Sequence, residues 1–183
     1  MENETNNNLI SGIALESYFN FNDALLEFHN LFTYKEKDNR SIAIIGGTFL
    51  ELALEHILRA YFPEDDKEVN KLFTYNNALG NFSSKISMAY SLGLIEKVVK
   101  TDLHLVRKVR NEFAHDLYAS FDNVKISAWC RELKWHKVSF VANPPESATN
   151  RDLYQVGVNR LITHLSGCIS IARSEKRQIK DNF

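Results

Sequence analysis

Apolar residues recur along this chain at spacings of three and four, over long stretches with few breaks. Ile13, Phe19, Phe21, Leu25, Leu26, Phe28, Leu31 and Phe32 do so across residues 10–33. That is the spacing of a helix packed on one broad face. After a polar break at Lys35-Glu36-Lys37-Asp38-Asn39, the pattern resumes over residues 40–62 and stops at Pro63. Gly46 and Gly47 fall inside this second helix. Each glycine costs about 1 kcal/mol against alanine, so the pair predicts close approach by another helix. A short helix follows over 64–73, and a turn-rich run, Asn76 to Asn81, separates it from the next. Ser83 and Ser84 open a helix that ends near Leu92, with Gly93 as its C-terminal stop.

The periodicity is strongest over residues 95–117. Another helix is expected over 121–133 with Asp122 as N-cap, and a last one over 152–176. Between them, residues 135–141 alternate loosely and read as a short strand or extended arm. Asn143-Pro144-Pro145-Glu146-Ser147 is a loop. The pattern predicts an all-α, compact bundle of about six or seven helices with a short extended arm. One domain covers residues 1–183, with 134–150 as arm and loop and with 1–8 and 177–183 as frayed ends.

Composition agrees with this. The chain has only 3 prolines and 7 glycines among 183 residues, and 44% hydrophobic residues is enough for a core. A net charge of -1 gives no overall basic field, so any nucleic-acid site must be a local patch. Cys130 and Cys168 stand far apart, without metal-ligand or disulfide spacing. The start, MENETNNN, lacks the features of a signal peptide. The most apolar stretch, 42–58, carries Glu51 and Glu55 and is not expected to span a membrane. A cytoplasmic protein without cofactor or bound metal is expected.

The chemistry concentrates in Arg110-Asn111-Glu112-Phe113-Ala114-His115. On a wheel of about 100° per residue, Leu103, Leu105, Val106, Val109, Phe113 and Leu117 share one arc. His104, Arg107, Lys108, Asn111 and His115 lie opposite, a polar face suited to nucleic acid or a protein partner. Arg110 projects at the edge of the apolar arc and must be paired or snorkel. Metal-independent RNA cleavage needs a base for the ribose 2′-hydroxyl and a cation for the phosphorane-like transition state. His115 could serve as acid or base, Arg110 could grip the phosphate and Asn111 could orient either. On one helix, however, Arg110 and His115 point roughly 140° apart, so two copies facing across a dimer axis would make the better site. The same residues also fit a structural role. Arg110 would then pair with Glu51 or Glu55, and His115 would cap the helix C-terminus.

Other clusters are weaker. Glu51, Glu55 and Arg59 read as a salt-bridged helix face. Trp129, Trp135 and His136 could form an aromatic platform, although packing is the plainer role. Arg173, Lys176, Arg177 and Lys180 make a small basic tail. No nucleotide-binding or serine-hydrolase motif occurs.

The stretch from Ala78 to His115 resembles the mannitol operon repressor family of bacterial regulators. The carrying phrases are Leu79-Gly80-Asn81-Phe82-Ser83-Ser84-Lys85-Ile86, Ala89-Tyr90-Ser91-Leu92-Gly93-Leu94-Ile95, Asp102-Leu103, Leu105-Val106-Arg107-Lys108-Val109 and the hexapeptide. This resemblance implies a helical regulator that acts through protein partners and carries no helix-turn-helix. Arg110 to His115 also resembles the arginine-histidine signature of the HEPN superfamily. That second resemblance implies a HEPN-like helical fold, often dimeric, with Arg110 and His115 catalytic and Asn111 supporting, in a toxin or phage-defence nuclease.

Two readings follow. A regulatory homodimer with a protein partner predicts Arg110 against a carboxylate and His115 outside any pocket. A HEPN-type endoribonuclease, acting on RNA and held by an antitoxin partner, predicts the two side chains clustered in a polar cleft.

Overall fold

The computed structural model describes residues 21–32, 38–64, 66–135 and 146–180. The chain divides into a unit Met1–Lys35 and a unit Glu36–Phe183. In the first, the described residues form α1, Phe21–Phe32, with the Phe28 and Phe32 rings stacked at 4.6 Å. The remainder of the expected 10–33 helix lies outside the described residues.

The second unit holds α2 (Asn39–Tyr61), α3 (Asp66–Phe73), α4 (Phe82–Ser91), α5 (Lys97–His115), α6 (Val124–Glu132) and α7 (Asn150–Ser174). The described residues are all helix and connection, with no strand. The expected all-α bundle is therefore observed.

The central helix is α2. It packs most extensively on α7, and also on α5 and α4, while α5 packs on α4 and α6. By length and mean hydropathy (1.5) α2 could cross a membrane. It is instead the core helix of this unit, with Ile42, Leu50, Ala53, Leu54, Ile57 and Leu58 fully buried. Buried Tyr154 of α7 donates to the Ala43 carbonyl at 2.8 Å, which ties the two longest helices together. Rings continue the core outward: Tyr154 lies 5.4 Å from Phe121, and Phe121 lies 4.9 Å from Phe113 of α5.

Local signals set most helix ends. Asp38 caps α2 by accepting from the Ser41 N–H, and Asn81 caps α4 by accepting from the Ser84 N–H. Gly93 takes φ +74, the left-handed conformation that stops α4 at its expected residue. Thr149 and Asp152 form a reciprocal capping box, so α7 begins two residues before the expected start at Asp152. The cap of α6 is Asn123, not Asp122, and makes no side-chain bond.

Trp135 does not open an arm. It is buried, and its indole lies on α7 where Gly157 has no side chain: a Cβ there would stand 2.8 Å from Trp135 Cδ1. Residues 136–145, the remaining expected arm and most of the loop, lie outside the described residues. The preceding connection is held by Asp102 of α5. Its fully buried carboxylate accepts the Lys134 N–H at 3.0 and 2.9 Å through its two oxygens. The start of the charged tail is also held: Arg177 donates its main-chain N–H to the Tyr61 carbonyl at 2.8 Å and its Nε–H to the Tyr61 hydroxyl at 2.7 Å.

Candidate functional site

Helix α5 carries the hexapeptide. Its buried side presents Leu103, Leu105, Val106, Val109 and Phe113 of the predicted apolar arc, with Val99 added, whereas Leu117 lies beyond the helix end at His115 and is exposed. Its C-terminus is capped from a distance. Arg40, at the start of α2, donates to the carbonyls of Phe113, Asp116 and Leu117, the last two at 2.8 Å. A cation on the last carbonyls of a helix satisfies groups with no intrahelical partner and meets the negative end of the helix dipole. That role had been expected of His115, which is exposed instead. Arg40→Ala is expected to cost about 1–3 kcal/mol, because charge-assisted bonds to carbonyls are lost. Hydrogen exchange at the N–H groups of Asp116, bonded to Glu112, and of Ala119, bonded to Asp116, should accelerate selectively.

Arg110 sits where the glycines of α2 allow. A Cβ on Gly47 would lie 2.7 Å from both Cβ and Cγ of Arg110, so the arginine stem crosses α2 directly over this residue. The close approach predicted from the glycine pair is real, and the group that approaches is an arginine stem. Beyond Gly47 the guanidinium reaches one turn along α2, where Nη2 donates to Glu51 Oε2 at 2.8 Å. Its carbon lies 5.7 Å from the centre of the Phe82 ring.

The pairing continues as a ladder of alternating charge. Lys85 of α4, almost wholly buried, bridges Glu51 at 3.4 Å and Glu55 at 2.9 Å. Arg59 binds Glu55 at 2.9 Å, and its guanidinium lies 4.1 Å from the centre of the Phe73 ring. Burial pushes the Glu55 carboxyl up. The hydrogen bonds and charges of Lys85 and Arg59 outweigh it and hold the group below the usual glutamate range. Glu51, Glu55 and Arg59 are thus the expected salt-bridged face, extended by one cation from α4 and one from α5.

The other motif residues stand apart from Arg110. Asn111 is half-buried and His115 exposed, and no described hydrogen bond joins either to Arg110. A hollow of about 330 Å³ beside the end of α5 is lined by Glu112, Asp116, Asn123, Val124, Lys125 and Ile126, without His115. Within one copy, the hexapeptide does not bring a base and a phosphate-binding cation together.

The polar face of α5 has a different character. Lys100, His104 and Lys108 follow one another at four-residue spacing, with Arg107 beside them. Lys100 Nζ stands 4.2 Å from the centre of the Tyr90 ring on α4, and Lys108 Nζ 5.7 Å from that of Trp129 on α6. Burial, then the charges of Arg107, Lys100 and Lys108, hold His104 below the usual histidine range. All the charges acting on it are positive. The three residues that could have formed an aromatic platform divide: Trp129 is half-buried at this surface, Trp135 takes the expected packing role in the core, and His136 lies outside the described residues.

Sequence reasoning missed Arg40 and Lys85, whose partners lie far along the chain, and the buried Asp102. The hexapeptide signalled none of them.

No family model matches the chain, and no curated protein matches it. A chain in the X-ray structure of the MtlR–HPr complex from Escherichia coli is similar to it, with 24% sequence identity and a TM-score of 0.55, over 84% of this chain and 98% of that one. At that identity the likeness is one of fold, and the bundle around Arg110 and Glu51 is an MtlR-like helical fold.

Proposed function

We propose that this chain is a cytoplasmic regulatory protein that acts by binding another protein. The observation that carries the reading is the engagement of Arg110 by Glu51 above Gly47, with His115 exposed and unconnected to it. This is the arrangement expected if the hexapeptide is structural. The fold supports the same reading, since the similar chain belongs to a complex of two proteins, MtlR and HPr. Large apolar side chains exposed on the α5–α6 connection and at the start of α6 also suit protein contact: Leu117 is 77% exposed, Tyr118 85% and Val124 87%. A homodimer is part of the proposal, with sedimentation velocity as its check.

Two measurements test this reading. Labelled RNA, incubated with the purified chain and with Arg110→Ala and His115→Ala, is expected to behave alike in all three. Cleavage by the natural chain alone, without added metal, would replace the regulator with a nuclease. HPr is the first partner to offer, and calorimetric titration should show saturable binding. Failure with HPr and with every protein captured from a lysate would remove the proposal.

A further inference from the structure

The polar face of α5 meets aromatic rings at Lys100 and Lys108 but no acidic partner among the described residues. Among the described residues, Lys100, His104, Arg107 and Lys108 take part in no ion pair, although the same helix places Arg110 in one. The Nε of Arg107 is buried without a hydrogen-bond partner. Four cationic or titratable side chains on one helix face, none of them in an ion pair, point to an acidic group from outside. In a chain of net charge -1, this is a local concentration of positive charge.

Spacing and neighbours indicate the kind of acceptor. Lys100, His104 and Lys108 stand one above another, about 6 Å apart at each step by helical rise. Carboxylates at four-residue spacing on a partner helix repeat at the same interval, so two such helices match charge for charge. Single-stranded nucleic acid would need aromatic faces open for stacking. Here the rings at the two ends of the stripe, Tyr90 and Trp129, lie against the ammonium groups of Lys100 and Lys108.

We infer that the Lys100–His104–Lys108 stripe, with Arg107, is the docking surface for an acidic helix of a protein partner. This rests on the protein-contact reading above and assigns it a surface and a complementary chemistry.

The test uses a helical peptide with glutamates at four-residue spacing on one face, a glutamine version of it and a single-stranded RNA oligonucleotide. Each is titrated into the full chain by fluorescence anisotropy. The glutamate peptide should bind, weaken as salt rises from about 50 to 300 mM, and bind more tightly than its glutamine version. Lys100→Glu with Lys108→Glu should weaken it about tenfold or more. Lys67→Glu on α3, equally a surface lysine, should leave it unchanged. Circular dichroism establishes that each variant is folded. Tighter binding of the RNA than the peptide, lost in the same double variant, would overturn the inference in favour of nucleic acid. Absence of peptide binding, or equal loss with Lys67→Glu, would overturn it outright. HPr binding that survives the double variant would move the partner elsewhere on the molecule while the regulatory reading stands.

Discussion

Asp102→Asn is expected to gain about 2 kcal/mol of stability relative to the natural chain as pH rises from 4 to 7. The Asp102 carboxyl is fully buried, and burial pushes its pKa from 3.8 up to about 6, against the opposing main-chain bonds of Lys134 and Trp135. In the unfolded chain the group titrates near its ordinary value. Between the two values the folded protein holds the extra proton, so stability falls as pH rises through that window. Below it both states are protonated and the effect vanishes. Above it the folded state carries a buried charge, a penalty of about 3 kcal/mol for two pKa units. Asparagine keeps an acceptor for Lys134 and cannot ionise, so its own stability profile lacks this slope. Asp102→Ala should instead be destabilising at every pH, by about 1–3 kcal/mol, because it removes the acceptor of the Lys134 N–H and leaves a gap in the core. Urea denaturation of the three proteins at pH 4, 5, 6 and 7 measures this. Parallel profiles for the natural chain and Asp102→Asn would refute the assignment.

Gly47→Val is expected to cost about 3 kcal/mol or more, the largest loss from any single exchange at the Arg110 contact. The new Cβ would stand 2.7 Å from two stem carbons of Arg110, and one of them is fixed to the α5 backbone. The arginine cannot simply swing away, so α2 and α5 must separate, and the Glu51 pair opens with them. Gly47→Ala should cost about 1–3 kcal/mol for the same reason, although alanine is the better helix former. The double variant Gly47→Ala with Arg110→Gly removes both obstructing carbons and should cost less than the sum of the single losses by about 1 kcal/mol. Additive losses in that cycle would show that the two residues do not press on one another.

The parts of this architecture that were legible in the sequence were those set by neighbours along the chain. Apolar spacing marked the helices, Gly93 marked the end of α4, and wheel geometry put Arg110 at the core edge. From its edge position a carboxylate partner followed, and Glu51 was one of two named. What was not legible depended on distant neighbours. The carbonyls of Phe113, Asp116 and Leu117 needed a donor, and nothing near them identified Arg40, more than seventy residues earlier. Lys85 looked like one more helix lysine until α4 placed it between two glutamates. Asp102 had no apparent reason to be buried, because its partner is a main-chain N–H rather than a side chain. Thr149 was a different case. The Thr-x-x-Asp signal of its capping box was present in the sequence, and the helix start was still placed too late.

The crossing of Arg110 over Gly47 also bears on motif searches. An arginine whose stem fills the space above a glycine, and whose head meets a glutamate one turn away, forms a three-residue unit spread over two helices. Homologues that keep this crossing should keep glycine, glutamate and arginine together, and change them together, whatever stands at the position of His115. A search for arginine followed five positions later by histidine would still count such chains as nucleases. The glycine and glutamate upstream are therefore the residues to inspect first, since they mark an arginine held by packing and an ion pair.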